Sequence, residues 1–276
     1  MLRRNALLGL SSIILSTRSN FVLAQEIPEV ELVDPLPPLP EELLQYANDP
    51  PADYLQIVGV GTGRPSEKDI KSAFDILVNA PHSCTPVEVA SYFRDIGQGT
   101  PDLSKFAREW PRIANPVIFH FFSATDTKPE GDVTAWCAAF MNWCIMRSHA
   151  TSKDEIGKSP GTYSKSGKFF NPNNFSKYAT KNAASGSFRC WKRVDEPKEG
   201  DILVLANKGT EGLTPHCLGQ GHVTFFLSKT GNENQVRVVG GNQTLPGSNG
   251  AITRADFSIA PGSRFLKFVS SSKEFE

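Results

Sequence analysis

The chain has 276 residues, 39% of them hydrophobic and 10% aromatic, which is enough for one substantial core or a core with an added lobe. Its formal net charge is zero, so nothing in the charge points to nucleic acid or to electrostatic docking on anionic lipid. Five cysteines, at 84, 137, 144, 190 and 217, make an odd number, so one free thiol with two bridges is the simplest oxidised arrangement.

Residues 1–24 stand apart from the rest. Arg3 and Arg4 precede a short apolar run from Ala6 to Leu15, and Val22-Leu23-Ala24 has the small-residue pattern of a cleavage site. This is the three-part pattern of a secretory signal peptide, too short for a membrane span. The expected compartment is the periplasm or the extracellular space, where disulfides persist. The segment carries three arginines and no acids, so its removal takes the net charge from zero to −3. Residues 25–52 are rich in proline and acid, including Glu26, Pro28, Glu29, Pro35, Pro37, Pro38 and Pro40, and read as an extended linker.

Residues 53–107 read as a helical extension. Ser66-Glu67-Lys68-Asp69 is a capping-box-like start, followed at helical spacing by Ile70, Ala73, Phe74 and Leu77. Thr85-Pro86-Val87-Glu88 starts a second helix, with Thr as cap, Pro at the first position and Glu at the third; Gly97 and Gly99 end it. A third helix is expected from Asp102 to Trp110, stopped by Pro111. Such amphipathic helices need a partner surface, so they are expected to pack on the catalytic core. His120, in an aromatic run from Phe119 to Phe122, reads as a packed core histidine.

Residues 108–276 carry the chemistry. Thr134 reads as the N-cap of a helix, which makes Cys137 about its third residue; Ala138, Ala139, Phe140, Met141 and Trp143 supply helix formers and an apolar face. A thiol in the first helical turn meets unpaired N–H groups and the positive end of the dipole, both of which favour thiolate. The same N–H groups can hold a developing oxyanion. A cysteine on an apolar helix is also a common small core residue, so the position alone does not decide its role. Cys137 and Cys144 share a helical face but lie about 10 Å apart in rise, too far to bridge each other.

Residues 151–198 are polar and loop-like, broken by short amphipathic pieces at 165–170 and 175–179. From Pro197 the hydrophobic period changes to two. Asp201–Leu205, Val223–Ser228, Gln235–Val239 and Arg264–Val269 read as four strands. A glycine-containing loop from Asn207 to Gly221 separates the first two and is long enough to cover a cleft. Helices first and antiparallel strands after predict an α+β fold, with the nucleophile on a helix and its base on the sheet facing it. His222 opens one strand-like run and Asn242 ends another. Cys, His and Asn in that order are the nucleophile, base and orienting group of a papain-like thiol hydrolase.

Three boxes carry a family resemblance: Thr134-Ala135-Trp136-Cys137-Ala138-Ala139-Phe140-Met141-Asn142-Trp143, then Gly221-His222-Val223, then Gly240-Gly241-Asn242-Gln243. Together they resemble the NlpC/P60 and CHAP superfamily of cysteine peptidases and amidases, in particular the bacterial branch with Trp-Cys-Ala-Ala-Phe and Gly-Gly-Asn-Gln boxes. The resemblance covers roughly residues 108 to 270. It implies a papain-like core, with a nucleophile helix packed on an antiparallel sheet, and hydrolysis of amide bonds in peptidoglycan or its stem peptides. It makes Cys137 the nucleophile, His222 the general base and Asn242 the residue orienting the imidazole, with Gln243 a second candidate for that role. Trp136 and Gln243 are candidate substrate contacts. Thr224 departs from the pattern, since relatives often have Gly after Gly-His-Val. No cofactor, metal, nucleic acid or membrane span is expected, and the chain is expected to act as a monomer.

Other readings compete. His216, Cys217 and His222 are the only cluster with zinc-ligand chemistry, and their spacing matches no zinc signature. A wall-binding module on the same fold would not need the triad. Acyl transfer shares the acyl-enzyme with hydrolysis and is not separated from it by sequence. Nor does sequence decide whether a sugar–peptide or a peptide–peptide bond is cut.

Overall fold

The computed structural model describes residues 63–111, 113–129, 135–158, 167–207, 217, 219–244 and 250–272. The expected signal peptide, the linker, the start of the helical extension, Thr134, His216 and most of the 207–221 loop lie outside the described residues. The described chain is mixed helix and antiparallel sheet, as the α+β reading expects.

The first two helices begin where their caps predict. Helix α1 (Glu67–Asn79) is capped by Ser66, whose hydroxyl accepts from the Asp69 N–H at 3.1 Å. Helix α2 (Pro86–Gly97) has a full capping box: Glu88 accepts from the Thr85 N–H at 2.7 Å, and Thr85 Oγ1 accepts from the Glu88 N–H at 3.4 Å. The third helix is shorter than expected. It forms as α3 (Pro101–Ser104) and continues only as a 3-10 turn, Lys105–Ala107, before Arg108 turns extended. Helix α4 (Pro116–Phe121) starts at Asn115, whose side chain accepts from the Val117 N–H at 2.9 Å. His120 on α4 is buried, with Nε2 2.9 Å from the Ile156 carbonyl.

Helix α5 (Cys137–Ser148) is the centre of the molecule. All twelve of its residues are buried, because it is covered by helices on one side and by the sheet on the other. Phe93 of α2 sets its ring edge against Phe121, Phe140 and Trp143. The 53–107 segment therefore shares one core with the rest, as far as it is described, and is not a separate lobe. The polar residues of α5 are paired: Asn142 donates to Thr180 Oγ1 at 2.8 Å and accepts from the Thr180 N–H at 2.9 Å. Beyond it, a further short helix, α6 (Pro172–Tyr178), is capped by Asn171.

Among the described residues the sheet has six strands: β1 (Arg193–Val194), β2 (Ile202–Ala206), β3 (Gly221–Lys229), β4 (Gln235–Thr244), β5 (Gly250–Ser258) and β6 (Phe265–Val269). Their order is β1-β6-β2-β3-β4-β5, and every pairing is antiparallel. Four strands match the period-two runs; β1 and β5 add to them. Strand alternation gives the sheet two different faces. Ile202, Val204, Val223, Phe225 and Val239 pack with α5. Leu203, Leu205, Phe226, Val236, Val238, Phe257 and Phe268 form a second apolar cluster on the other face.

One disulfide joins Cys190 to Cys217, and Cys84, Cys137 and Cys144 are thiols. That is one bridge where the simplest oxidised count has two. Among the described residues no helix is long and apolar enough to cross a membrane.

Candidate functional site

Cys137 is the first residue of α5, not the third. The residue before it, Trp136, acts as N-cap with no side-chain hydrogen bond, and the first turn closes with the Phe140 N–H on the Trp136 carbonyl at 2.8 Å. The N–H groups of the first turn therefore stay free of helix partners. The backbone N–H groups of Val223, Ala138 and Cys137 lie close enough to the sulfur to favour its thiolate.

The Val223 contact joins the thiol to the sheet. β3 is paired with β2 from its first residue, Gly221 against Ala206. Its ladder with β4 runs from Phe225↔Val239 to Lys229↔Val236, so His222 and Val223 precede it. The α5 N-terminus meets β3 in that stretch. The Val223 N–H near the sulfur is one peptide unit from the Cα of His222, whose side chain leaves on the opposite face.

The chemistry at rest is neutral. Cys137 is 4% exposed, and burial pushes its thiol up to about 11, against the smaller opposing effects of the three N–H groups and the charge of Arg264. His222 is 2% exposed, and burial, with Arg264 adding to it, drives its imidazole down to about 3. The expectation of a thiolate favoured by the helix N-terminus is not met at rest, because desolvation outweighs the dipole.

Strand alternation places His222 on the face away from α5. It pairs with Leu205, as Thr224 pairs with Leu203, and its ring lies 5.7 Å from that of Phe257. The Gly-Gly-Asn-Gln box explains what surrounds it. The β4–β5 register shifts between Gly240 and Gln243, and Asn242 has φ +57°, the signature of a bulge with one residue in left-handed conformation. A Cβ on Gly241 would run into the rings of Trp136 and Phe140, and one on Gly240 into Thr224 and the Gln243 amide. Both glycines are therefore required by close approach.

The bulge separates the two polar residues of the box. Asn242 directs Oδ1 towards Gly250 and the Glu109 carboxylate, which accepts from Trp136 Nε1 at 2.7 Å and from the Gly250 N–H at 3.1 Å. Gln243 turns to the face of His222, where its Nε2 donates to Thr224 Oγ1 at 3.0 Å. Thr224, the departure from the family pattern, is thus the anchor of Gln243. Among the described residues no hydrogen bond links Cys137, His222 and Asn242. His222 Nε2, Asn242 Oδ1 and Gln243 Oε1 are buried without hydrogen-bond partners.

The two expected substrate contacts are as buried as the expected nucleophile and base. Trp136 packs fully buried between Phe121, Phe140 and Gly241. Gln243 is 1% exposed and held by Thr224. Two residues were missed. Arg264, whose Nε donates to the Ala206 carbonyl at 2.8 Å, places its charge near both Cys137 and His222. Glu109 anchors Trp136. Neither lies in a motif, and no sequence signal marks them.

The zinc cluster is not assembled as a set. Cys217 is bridged to Cys190, and among the described residues no three metal-ligating side chains converge. No family model matches this chain, and neither a curated protein nor a solved structure matches it.

Proposed function

We propose that the chain is a papain-like thiol hydrolase that cleaves amide bonds in peptidoglycan through an acyl-enzyme on Cys137. The observation that carries the chemistry is a thiol at the first residue of a buried helix, near the N–H of Val223, the residue after His222, whose imidazole leaves the strand on the opposite sheet face. Peptidoglycan as substrate rests on the resemblance of the three boxes, and export rests on the pattern of residues 1–24.

With both groups neutral at rest, His222 acts as a general base during attack and not as half of a preformed ion pair. Its imidazole, turned from the Leu205–Phe257 face to the sulfur, takes the thiol proton as sulfur bonds to the amide carbonyl carbon. The carbonyl oxygen becomes an oxyanion, for which the N–H groups of the first α5 turn are the donors at hand. His222 then returns the proton to the leaving amine. Water attacks the thioester with His222 again as base, releasing the carboxylate and the free thiol.

A non-catalytic peptidoglycan-binding module is the second reading. The observation that favours it is the depth of burial of Cys137, which leaves the thiol protonated and covered.

Incubation with purified peptidoglycan, beside Cys137→Ser and with products read by mass spectrometry, separates the two. Fragments released only by the wild type are the expected result, and their masses name the bond cut. Wild type and mutant that both pellet with the wall and release nothing would establish the binding module instead.

A further inference from the structure

The orienting residue of a Cys–His pair must lie on the face of the imidazole it holds. Asn242 does not. The bulge turns its side chain towards Gly250 and Glu109, beside Trp136 at the α5 N-terminus, while His222 projects from the other face with Leu205 and Phe257. Gln243 shares the face of His222. Its amide is fixed by Thr224, two residues along β3 from His222 on the same side.

The unpaired atoms on that face are complementary. His222 Nε2 is buried with no partner, and Gln243 Oε1 is buried with no partner. One becomes a donor in the Nε2–H tautomer and the other is an acceptor. Buried polar groups without partners are costly, and two of opposite kind on one sheet face satisfy each other by a rotation of the ring or the amide. Gly240 keeps the space between Thr224 and Gln243 open, since a Cβ there would displace the Thr224 hydroxyl and the Gln243 amide.

We propose that Gln243, anchored by Thr224, is the positioning residue for His222, and that Asn242 is not. Gln243 Oε1 accepts from Nε2–H, which fixes the tautomer and leaves Nδ1 as the basic nitrogen. The catalytic part of this statement rests on reading Cys137 and His222 as nucleophile and base; the tautomer does not.

The test is the imidazole itself. In the full chain labelled with 15N-histidine, long-range proton–nitrogen correlations report the tautomer of each ring, and His222→Gln assigns the His222 signals. The wild type should show one neutral Nε2–H tautomer for His222. Gln243→Met should replace it with an averaged pair of tautomers, and so should Thr224→Val, which serves if Gln243→Met does not fold. Asn242→Ala should leave the tautomer unchanged, and Gln243→Glu, which keeps the acceptor, should restore it. Loss of the tautomer in Asn242→Ala, or its persistence in both Gln243→Met and Thr224→Val, would overturn the proposal. None of these readouts needs turnover, so they stand even if peptidoglycan is not cleaved. If it is cleaved, Gln243→Met should lower kcat about 100-fold with little change in KM, and Asn242→Ala should cost less.

Discussion

The two ends of helix α5 are built on opposite terms. At the C-terminal end, Arg147 is completely buried, and its guanidinium donates to the carbonyls of Val78, Ala80, Ser152, Lys153 and Glu155 at 2.7 to 3.3 Å. The Cys84 N–H bonds the Ser148 carbonyl, and the Ser148 hydroxyl bonds that of Ile145. At the N-terminal end there is no capping side chain, the thiol is buried and protonated, and on the strands next to it His222 Nε2, Gln243 Oε1 and Asn242 Oδ1 lack partners. One helix thus joins a fully satisfied polar clamp to a site that keeps polar groups in reserve. Proteins tolerate such unpaired groups chiefly where they serve binding or catalysis.

Breaking the clamp should have the largest effect. Arg147→Met keeps volume but leaves five carbonyls without their donor. It should lower unfolding free energy by roughly 3–5 kcal/mol, as expected when a buried, charged hydrogen-bonding group is removed. Urea denaturation measures it. Cys137→Ser at the other end should cost about 1 kcal/mol or less, since it removes no satisfied network. Equal losses at the two ends would remove the contrast.

The same contrast decides how much of the structure is legible in the sequence. The caps at Ser66 and Thr85 are local chemistry within four residues, and both helices start where those residues say. The start of α5 is not local. It is set by burial of Trp136 against Phe121, Gly241 and Glu109, contacts from three distant segments. Strand β5 is hidden by Arg254 and Asp256, which break its apolar pattern. Asp256 is nonetheless buried, because Arg237 lies directly across on β4 and holds it at 2.9 Å. The three boxes lie at the start of α5, the start of β3 and the β4 bulge, and the N–H of Val223, next to His222, lies near the Cys137 sulfur. The face on which each polar side chain emerges is out of reach, because a single bulge at Asn242 reverses it.

Acid should sharpen the comparison to a smaller degree. His222 is held down to about 3 and His120 to about 4, both by burial, from an ordinary value of 6.5. Between those limits the unfolded chain binds protons that the folded chain does not. Stability is therefore full above about pH 6.5 and falls as pH drops through the folded values. Melting temperature should decline steadily below about pH 6.5. His222→Gln and His120→Gln should each flatten the decline, and in combination nearly remove the histidine part of it. An unchanged slope in both would mean that these rings are charged in the folded protein.

The resting state of the thiol can be read with no effect on stability at all. A thiolate–imidazolium pair would alkylate at a rate nearly independent of pH across the neutral range, because the thiolate is already formed. A thiol held up to about 11 by burial behaves otherwise. Its thiolate fraction, and with it the rate of carboxamidomethylation of Cys137 by iodoacetamide, should rise about tenfold per pH unit from about pH 6 to about pH 10. Peptide mass mapping separates Cys137 from Cys84 and Cys144. A plateau from about pH 6 upward at Cys137 would show that the site activates its thiol before substrate arrives, and the general-base route through a neutral His222 would give way to the ion pair.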